Sequence, residues 1–512
     1  MSIGKLYRLA MAALLFGLMF FDKPFAYLGI GPLFITEIVL LLGLVAAFMH
    51  VRHQGLAGWQ RISRLQMATL AVFLTYEGAR TAFDVPRFGV LALRDGVVWG
   101  YLLFAVIIVT IAHRETVRSW ISNYRRIAPI FVIWVPMAVL LFALRPGELT
   151  IPGHSVSLYL FKPGDLLVHL SGAGAALALW PRTALPTSLR RIANALIALA
   201  WGTGFVMAAS LSRGGLAACL AGLAVVVVLG PWKQVVKLAA GALVALLLFG
   251  VSGIQITCPA IAQGALNKEI SARQILTQVS STLRQAARLL PSGLKTRTPA
   301  TKHVRRTVPA KRMRRTALPS HVTTSSSRRP PAKALTSRPP SPAASPAKNL
   351  RKKMKLVIYR ERLGTIRWRL DWWRKIIGYT VGGPYALWGK GFGISLADAD
   401  GFQPEKNHGL RDPHNVFMTF LARSGVPGLT LFVILIGVVL INLFIAWRQS
   451  GQEDRRVAVW LSAYLAAMLV NACFDVSIEN PMGGVWFWTM IGAAIIVSAN
   501  HRRPRRGAET PQ

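Results

Sequence analysis

Long apolar runs, separated by short basic or turn-forming clusters, recur over residues 1–252 and again over 414–512. A helix needs about 20 mostly apolar residues to cross roughly 30 Å of hydrocarbon. Twelve stretches approach that requirement, near residues 6–21, 29–49, 65–83, 96–112, 127–144, 160–180, 192–210, 214–230, 234–252, 429–447, 457–475 and 483–499. The pattern predicts an all-α polytopic membrane helix bundle with about twelve transmembrane helices. The third stretch is the weakest, because Glu77 and Arg80 interrupt it. The first has Lys5 and Arg8 ahead of its apolar core. Phe20, Phe21, Asp22 and Lys23 follow where a small-residue cleavage site would stand, so it reads as an uncleaved anchor.

One long connection, residues 253–413, separates an N-terminal bundle of about nine spans (1–252) from a C-terminal bundle of about three spans with a basic tail (414–512). Within it, 291–355 is built from Pro, Ser, Thr, Ala, Arg and Lys without a single acid. Such a stretch buries too little apolar surface to offset its ordering entropy, and disorder is expected. From 356 to 413 aromatics and glycines return, and this is the expected site-forming part. Leu370, Trp373, Ile376 and Ile377 recur at helical spacing, with Arg369, Trp372 and Arg374 on neighbouring faces, which predicts an amphipathic helix ahead of a glycine-rich turn.

Composition narrows the class. Only 16% of residues are charged and 53% are hydrophobic, where soluble domains carry roughly a quarter charged residues. A soluble enzyme is disfavoured. The 60 Lys and Arg against 20 Asp and Glu give a net charge of +40, which invites a nucleic-acid reading until the charge is located. With the N-terminus in the cytoplasm, the inner short segments hold 21 basic residues and the outer short segments 8, among them Lys23, Arg80, Lys162, Arg213 and Arg423. That asymmetry supports cytoplasmic termini. The remaining 31 lie with seven acids in the long connection, which then faces outward as an extracytoplasmic loop. Outward placement disfavours nucleic acid and favours membrane lipids or anionic glycans as partners.

The turn Gly389-Lys-Gly-Phe-Gly393 invites a phosphate-loop reading. It fails, because Trp388 stands where the spacing from Gly383 requires Gly, and Gly391 follows Lys390 where Ser or Thr is required. Asp398-Ala-Asp400 has the look of a metal-holding acid pair but reads more economically as a turn or salt-bridge element. Cys219, Cys258 and Cys473 imply no disulfide framework. No His, Cys and acid cluster has metal-ligand spacing, so neither metal nor cofactor is expected. Glu37, Asp165 and Asp475, the last two inside predicted spans, are possible site residues for which buried structural roles are the default.

The most informative segment begins at His414. His414, Phe417, Met418 and Leu421 fall on one face of a predicted helix, and Gly425, Pro427 and Gly428 predict a turn before a span from Leu429. His-Asn, nine residues, then Gly-Val-Pro-Gly resembles the signature of the O-antigen ligase and O-antigen polymerase superfamily of polytopic membrane glycosyltransferases. The resemblance covers roughly residues 190–450. It extends to the Ser-Arg-Gly element at Arg213 and to the Arg369, Trp372 and Trp373 helix before Gly389, Gly391 and Gly393. The basic insertion at 291–355 departs from the family pattern.

That resemblance implies an enzyme of the bacterial inner membrane whose active site faces the periplasm. Its donor would be an undecaprenyl-diphosphate-linked glycan and its acceptor a hydroxyl of the lipid A core, as in a ligase, or of another lipid-linked glycan, as in a polymerase. The ligase reading is favoured. Arginine offers bidentate, permanently charged donors to departing phosphates, and a histidine can take a proton near neutral pH. The expected roles are therefore His414 as catalytic base, Arg213, Arg369 and Arg374 on the diphosphate, and Asn415, Gly425, Gly428, Gly391 and Gly393 as motif and structural residues. The rival from another class is a transporter or flippase using intramembrane acids as ion sites.

Overall fold

The computed structural model describes residues 2–31, 33–56, 58–144, 150–151, 157, 160–180, 186–258, 268–271, 273–277, 280, 366–404 and 408–499. The stretch 291–355 and the basic tail lie outside them. Residues 1–284 and 367–512 make up one compact unit; a second, 285–366, falls almost wholly outside the described residues.

All twelve apolar stretches contain helix. In chain order the helices are α1 (Ile3–Phe21), α2 (Lys23–Ala26), α3 (Ile35–Gln54), α4 (Arg64–Phe88), α5 (Val90–Gly100), α6 (Leu102–Ile111), α7 (Arg114–Leu144) and α8 (Pro163–Leu179). They continue with α9 (Thr187–Leu211), α10 (Arg213–Leu229), α11 (Trp232–Val251), α12 (366–380), α13 (Leu396–Asp400), α14 (Val416–Gln449), α15 (Gln452–Ala472) and α16 (Pro481–Ala499). Two short antiparallel hairpins pair Gly29–Ile30 with Leu33–Phe34 and Ile256–Cys258 with Lys268–Ile270.

Among the described residues, seven helices are long and apolar enough to span a membrane, and eight if α5 and α6 count as one span bent by 52°. The twelve-span expectation is larger for local reasons. The stretch at 96–112 is broken at Tyr101. α8 and α10 have 17 residues each. α4 runs unbroken past Glu77 and Arg80, whose side chains are buried inward rather than interrupting the helix. Small residues allow close backbone packing where lipid gives no hydrophobic drive between helices. A Cβ at Gly202 of α9 would strike the Gly241 backbone of α11, and one at Gly222 of α10 would strike Ser171 and Ala463.

A separate cluster positions the loop. Trp372, Ile376, Leu396, Ala397, Leu421 and Ala422 are buried together, which lays α12 and α13 against the first turns of α14. The buried face of α12 is therefore Trp372 and Ile376, with Leu370 and Ile377 exposed. This corrects the predicted face. The tether is aromatic: Trp372 stacks on Phe402 with ring centroids 5.7 Å apart, a contact that spacing along the helix does not reveal.

Candidate functional site

His414 is not on the helix that follows it. It precedes the cap with φ of 55°, an uncommon conformation for a residue with a Cβ, and α14 begins at Val416. Two bonds impose this geometry. Asn415 caps α14, its Oδ1 accepting from the amides of Phe417 at 3.0 Å and Met418 at 3.2 Å. On the other side, Trp373 Nε1 of α12 donates to the carbonyl of Pro413 at 2.9 Å. The ring reaches the 473–480 segment between α15 and α16.

Asp475 lies in that segment. The predicted span at 457–475 ends earlier, since α15 stops at Ala472, so Asp475 sits beyond the helix and not inside it. His414 Nδ1 is 3.5 Å from Asp475 Oδ1, ion-pair range and longer than a good hydrogen bond. Asp475 Oδ1 also accepts from the Val476 amide at 2.8 Å. One residue earlier, the carbonyl of Phe474 accepts from Arg369 Nη1 at 2.7 Å. Arg213 opens α10 after Ser212, whose Oγ accepts from Gly215 N at 3.1 Å, and a Cβ at the next residue, Gly214, would meet the Phe474 side chain at 2.7 Å. Three elements distant in sequence, α10, α12 and the start of α14, thus converge on one short loop.

Charge in this region is strongly perturbed. Burial would raise the Asp475 carboxyl, but Lys162, followed by His414, holds it well below the usual carboxylate range. Burial lowers the Arg369 guanidinium, Asp475 opposes that, and Arg213 adds to it, so the two arginines are close enough to repel. The Nε of Arg369 is buried without a hydrogen-bond partner, a desolvated donor that an anion would satisfy. Glu479 accepts from Thr419 Oγ1 at 3.0 Å, and burial, then Asp412, push it up to about 8.

The glycine turn is a junction. The amides of Lys390 and Gly391 donate to the carbonyls of Ala422 and Arg423 at 2.7 and 3.0 Å, and those of Phe392 and Gly393 donate to Asp84 and Asp95 at 2.6 and 2.9 Å. No amide of that run is left to cradle phosphate. Gly391 and Gly393 both have φ of 94°, and a Cβ there would strike Asp84 and Phe88 respectively. Gly425, with φ of 72°, kinks α14 where the chain crosses Ala386 and Leu387. The helical backbone is therefore interrupted at Gly425, where the turn is expected, and Gly428 packs on Ser424 and Glu77. Arg423, read from sequence as an outer-loop charge, is 1% exposed and holds Asp412 at 2.7 Å and Asp95 at 2.9 Å.

Of the residues singled out from sequence, His414, Arg369, Arg213 and Asp475 come together. Arg374 does not join them: its exposed side chain pairs with Asp371 at 3.0 Å. Asp400 is consumed by Trp372 Nε1 at 2.7 Å, Tyr379 and Lys390, and Asp398 pairs with His408 at 2.7 Å. Asp165 accepts from Asn471 Nδ2 at 2.8 Å beneath the loop, and Glu37 caps α3 and accepts from Tyr101 OH at 3.0 Å. The sequence marks Trp373 only as part of the loop helix, and Lys162 and Glu479 not as site residues. Nothing local marks these roles, because each acts across elements far apart in sequence. An apolar groove between α1 and α7, floored by α16, is lined by none of these residues.

No curated protein matches the chain. Residues 197–433, from within α9 into α14, match the family model described as O-antigen ligase. The matched stretch contains Arg213, Arg369 and His414, and leaves Lys162, Asp475 and Glu479 outside it. That stretch, a little under half of a chain with multi-pass helical architecture, is similar to the O-antigen ligase family of membrane enzymes.

Proposed function

We propose that this protein is a ligase-type transferase that moves an undecaprenyl-diphosphate-linked polysaccharide onto a hydroxyl of the lipid A core, at the periplasmic face of the bacterial inner membrane. The observation that carries the reading is His414 Nδ1 at 3.5 Å from Asp475 Oδ1, beside an arginine whose buried Nε lacks a partner. Asp475 next to Nδ1 favours the tautomer with its proton on that nitrogen, which leaves Nε2 as the base.

The chemistry follows. The acceptor oxygen bonds to the anomeric carbon as its proton passes to His414 Nε2, and the bond from that carbon to the phosphate oxygen breaks with its electron pair going to the diphosphate. Arg369 and Arg213 supply positive charge to the departing group, an electrostatic contribution that grows as negative charge develops. Asn415 and the glycines Gly391, Gly393, Gly425 and Gly428 hold the framework on which these side chains depend.

The test is the surface-glycan profile of a strain lacking the gene, complemented with wild type or His414→Ala at equal membrane levels. A ligase predicts long polymer absent from the core in the deletion strain and in the His414→Ala complement. Core bearing single repeats would instead assign the polymerase reaction, with a lipid-linked repeat as acceptor. An unaltered glycan with altered substrate movement would assign transport.

A further inference from the structure

Lys162 stands at the entrance to α8, as the residue before its first turn. Its Nζ donates to the carbonyl of Val476 at 2.9 Å, and its backbone amide donates to Asp22 Oδ2 at 2.5 Å. The amide of that same Val476 donates to Asp475 Oδ1, so one residue, through two successive peptide groups, joins the ammonium to the carboxylate beside His414. Four carboxylates act on the ammonium: Asp475, Asp165, Asp22 and Glu479. Among the described residues none of them closes to a direct ion pair with it; its hydrogen bond goes to the loop backbone instead.

We propose that Lys162 is a positioning residue for the transfer reaction, holding Val476, the loop residue after Asp475, so that the carboxylate stays aimed at His414. This rests on the reading of His414 as the base. Two effects act together. The bond to the Val476 carbonyl, which Asn480 Nδ2 shares, holds the residue whose amide engages Asp475 Oδ1, and the ammonium opposes the burial that raises that carboxyl. A protonated Asp475 loses its charge attraction to His414 and the preference for the proton on Nδ1. The other charged groups facing this pair are Asp22 and Lys23 after α1, Asp165 in α8, Arg213 opening α10, Arg369 in α12 and Glu479 in the loop itself.

The experiment uses membrane vesicles from the deletion strain carrying full-length variants, with the strain's own lipid-linked glycan as donor, assayed across pH. Lys162→Gln keeps a donor for Val476 and removes the charge. It is expected to lower transfer about tenfold at neutral pH and to move the acidic limb of the pH profile upward by about one unit, while Lys162→Arg retains both. In an Asp475→Asn background, Lys162→Gln is expected to add less than about twofold, since the two act through one interaction. An equal loss at every pH, a full tenfold loss added in the Asp475→Asn background, or no effect of Lys162→Gln would each overturn the proposal. Should Lys162→Gln fail to reach the membrane, Lys162→Met is read against the same criteria, and failure of both while Lys162→Arg accumulates normally would assign Lys162 a folding role and overturn the proposal. Retained transfer in His414→Ala would instead sink the underlying reading.

Discussion

Arg369 Nη1 donates to the carbonyl of Phe474 at 2.7 Å, which ties the loop helix to the residue immediately before Asp475. The same side chain keeps a buried Nε without a partner. Arg369→Ala is expected to reduce glycan transfer by about 100-fold or more, the scale for losing a preorganised donor on developing negative charge. Arg369→Lys keeps the charge but not the planar fork, and full restoration is not expected. Transfer in vesicles at matched protein levels measures both; wild-type rates in Arg369→Ala would remove this arginine from the diphosphate site.

His414 and Asp475 call for different magnitudes. Loss of the base in His414→Ala is expected to cost about 100- to 10,000-fold. Asp475→Asn keeps the shape of the side chain and removes an interaction with a charged group worth about 1.5–3 kcal/mol, which is roughly 10- to 100-fold in rate. The ordering His414→Ala below Asp475→Asn is the checkable content. A reversed order would mean that the carboxylate itself takes the proton.

Trp373 offers a test of positioning without touching charge. Its indole holds the carbonyl of Pro413, next to a histidine with positive φ. Trp373→Phe removes one hydrogen bond of about 1 kcal/mol, and a fall in transfer of about fivefold is expected if that amount is lost from the transition state. A melting temperature close to wild type together with reduced transfer would locate the effect at His414, and unchanged transfer would show that Asn415 alone suffices to set the ring.

Much of this arrangement was legible along the chain, and the rest was hidden for identifiable reasons. Apolar runs marked the helices, and the spacing from His414 to Gly428 marked the segment that forms the site. The face of α12 was misassigned because periodicity cannot tell an exposed Leu370 from a buried Trp372 whose partner, Phe402, lies across a turn. Asp475 was placed inside a span because hydropathy continues through Cys473 and Phe474, whereas the backbone turns after Ala472. Lys162 counted only as an outer-loop charge, since its bond to Val476 joins α8 to a loop beyond α15. Arg374 and Arg369 have equal claims in sequence, and only the fold separates the exposed one from the one beside Phe474.

The insertion at 291–355 offers a test of whether bulk charge contributes to transfer. It holds no acid and few large apolar residues, a composition that predicts no packed core, and in general a loop's closure cost changes by only about 0.6 kcal/mol per doubling of its length. Deleting it is expected to leave transfer and membrane levels within about twofold of wild type. Lost transfer at normal levels would instead assign these basic residues to substrate or lipid capture, and raised salt would then weaken transfer in the intact protein.

Glu479 supplies a prediction in stability. Burial and Asp412 push its carboxyl up to about 8 from an ordinary value of 4.5. A raised folded-state value means that stability from this group is fully present below about 4.5 and is lost as pH rises toward about 8. Glu479→Gln stays neutral throughout and keeps an acceptor for Thr419. The melting temperature of Glu479→Gln relative to wild type is therefore expected to climb by roughly 3 °C or more between about pH 5 and about pH 8, then level off. A difference that stays flat across this range would mean that Glu479 is ionised in the folded protein throughout, held by Lys162 rather than neutralised by its burial.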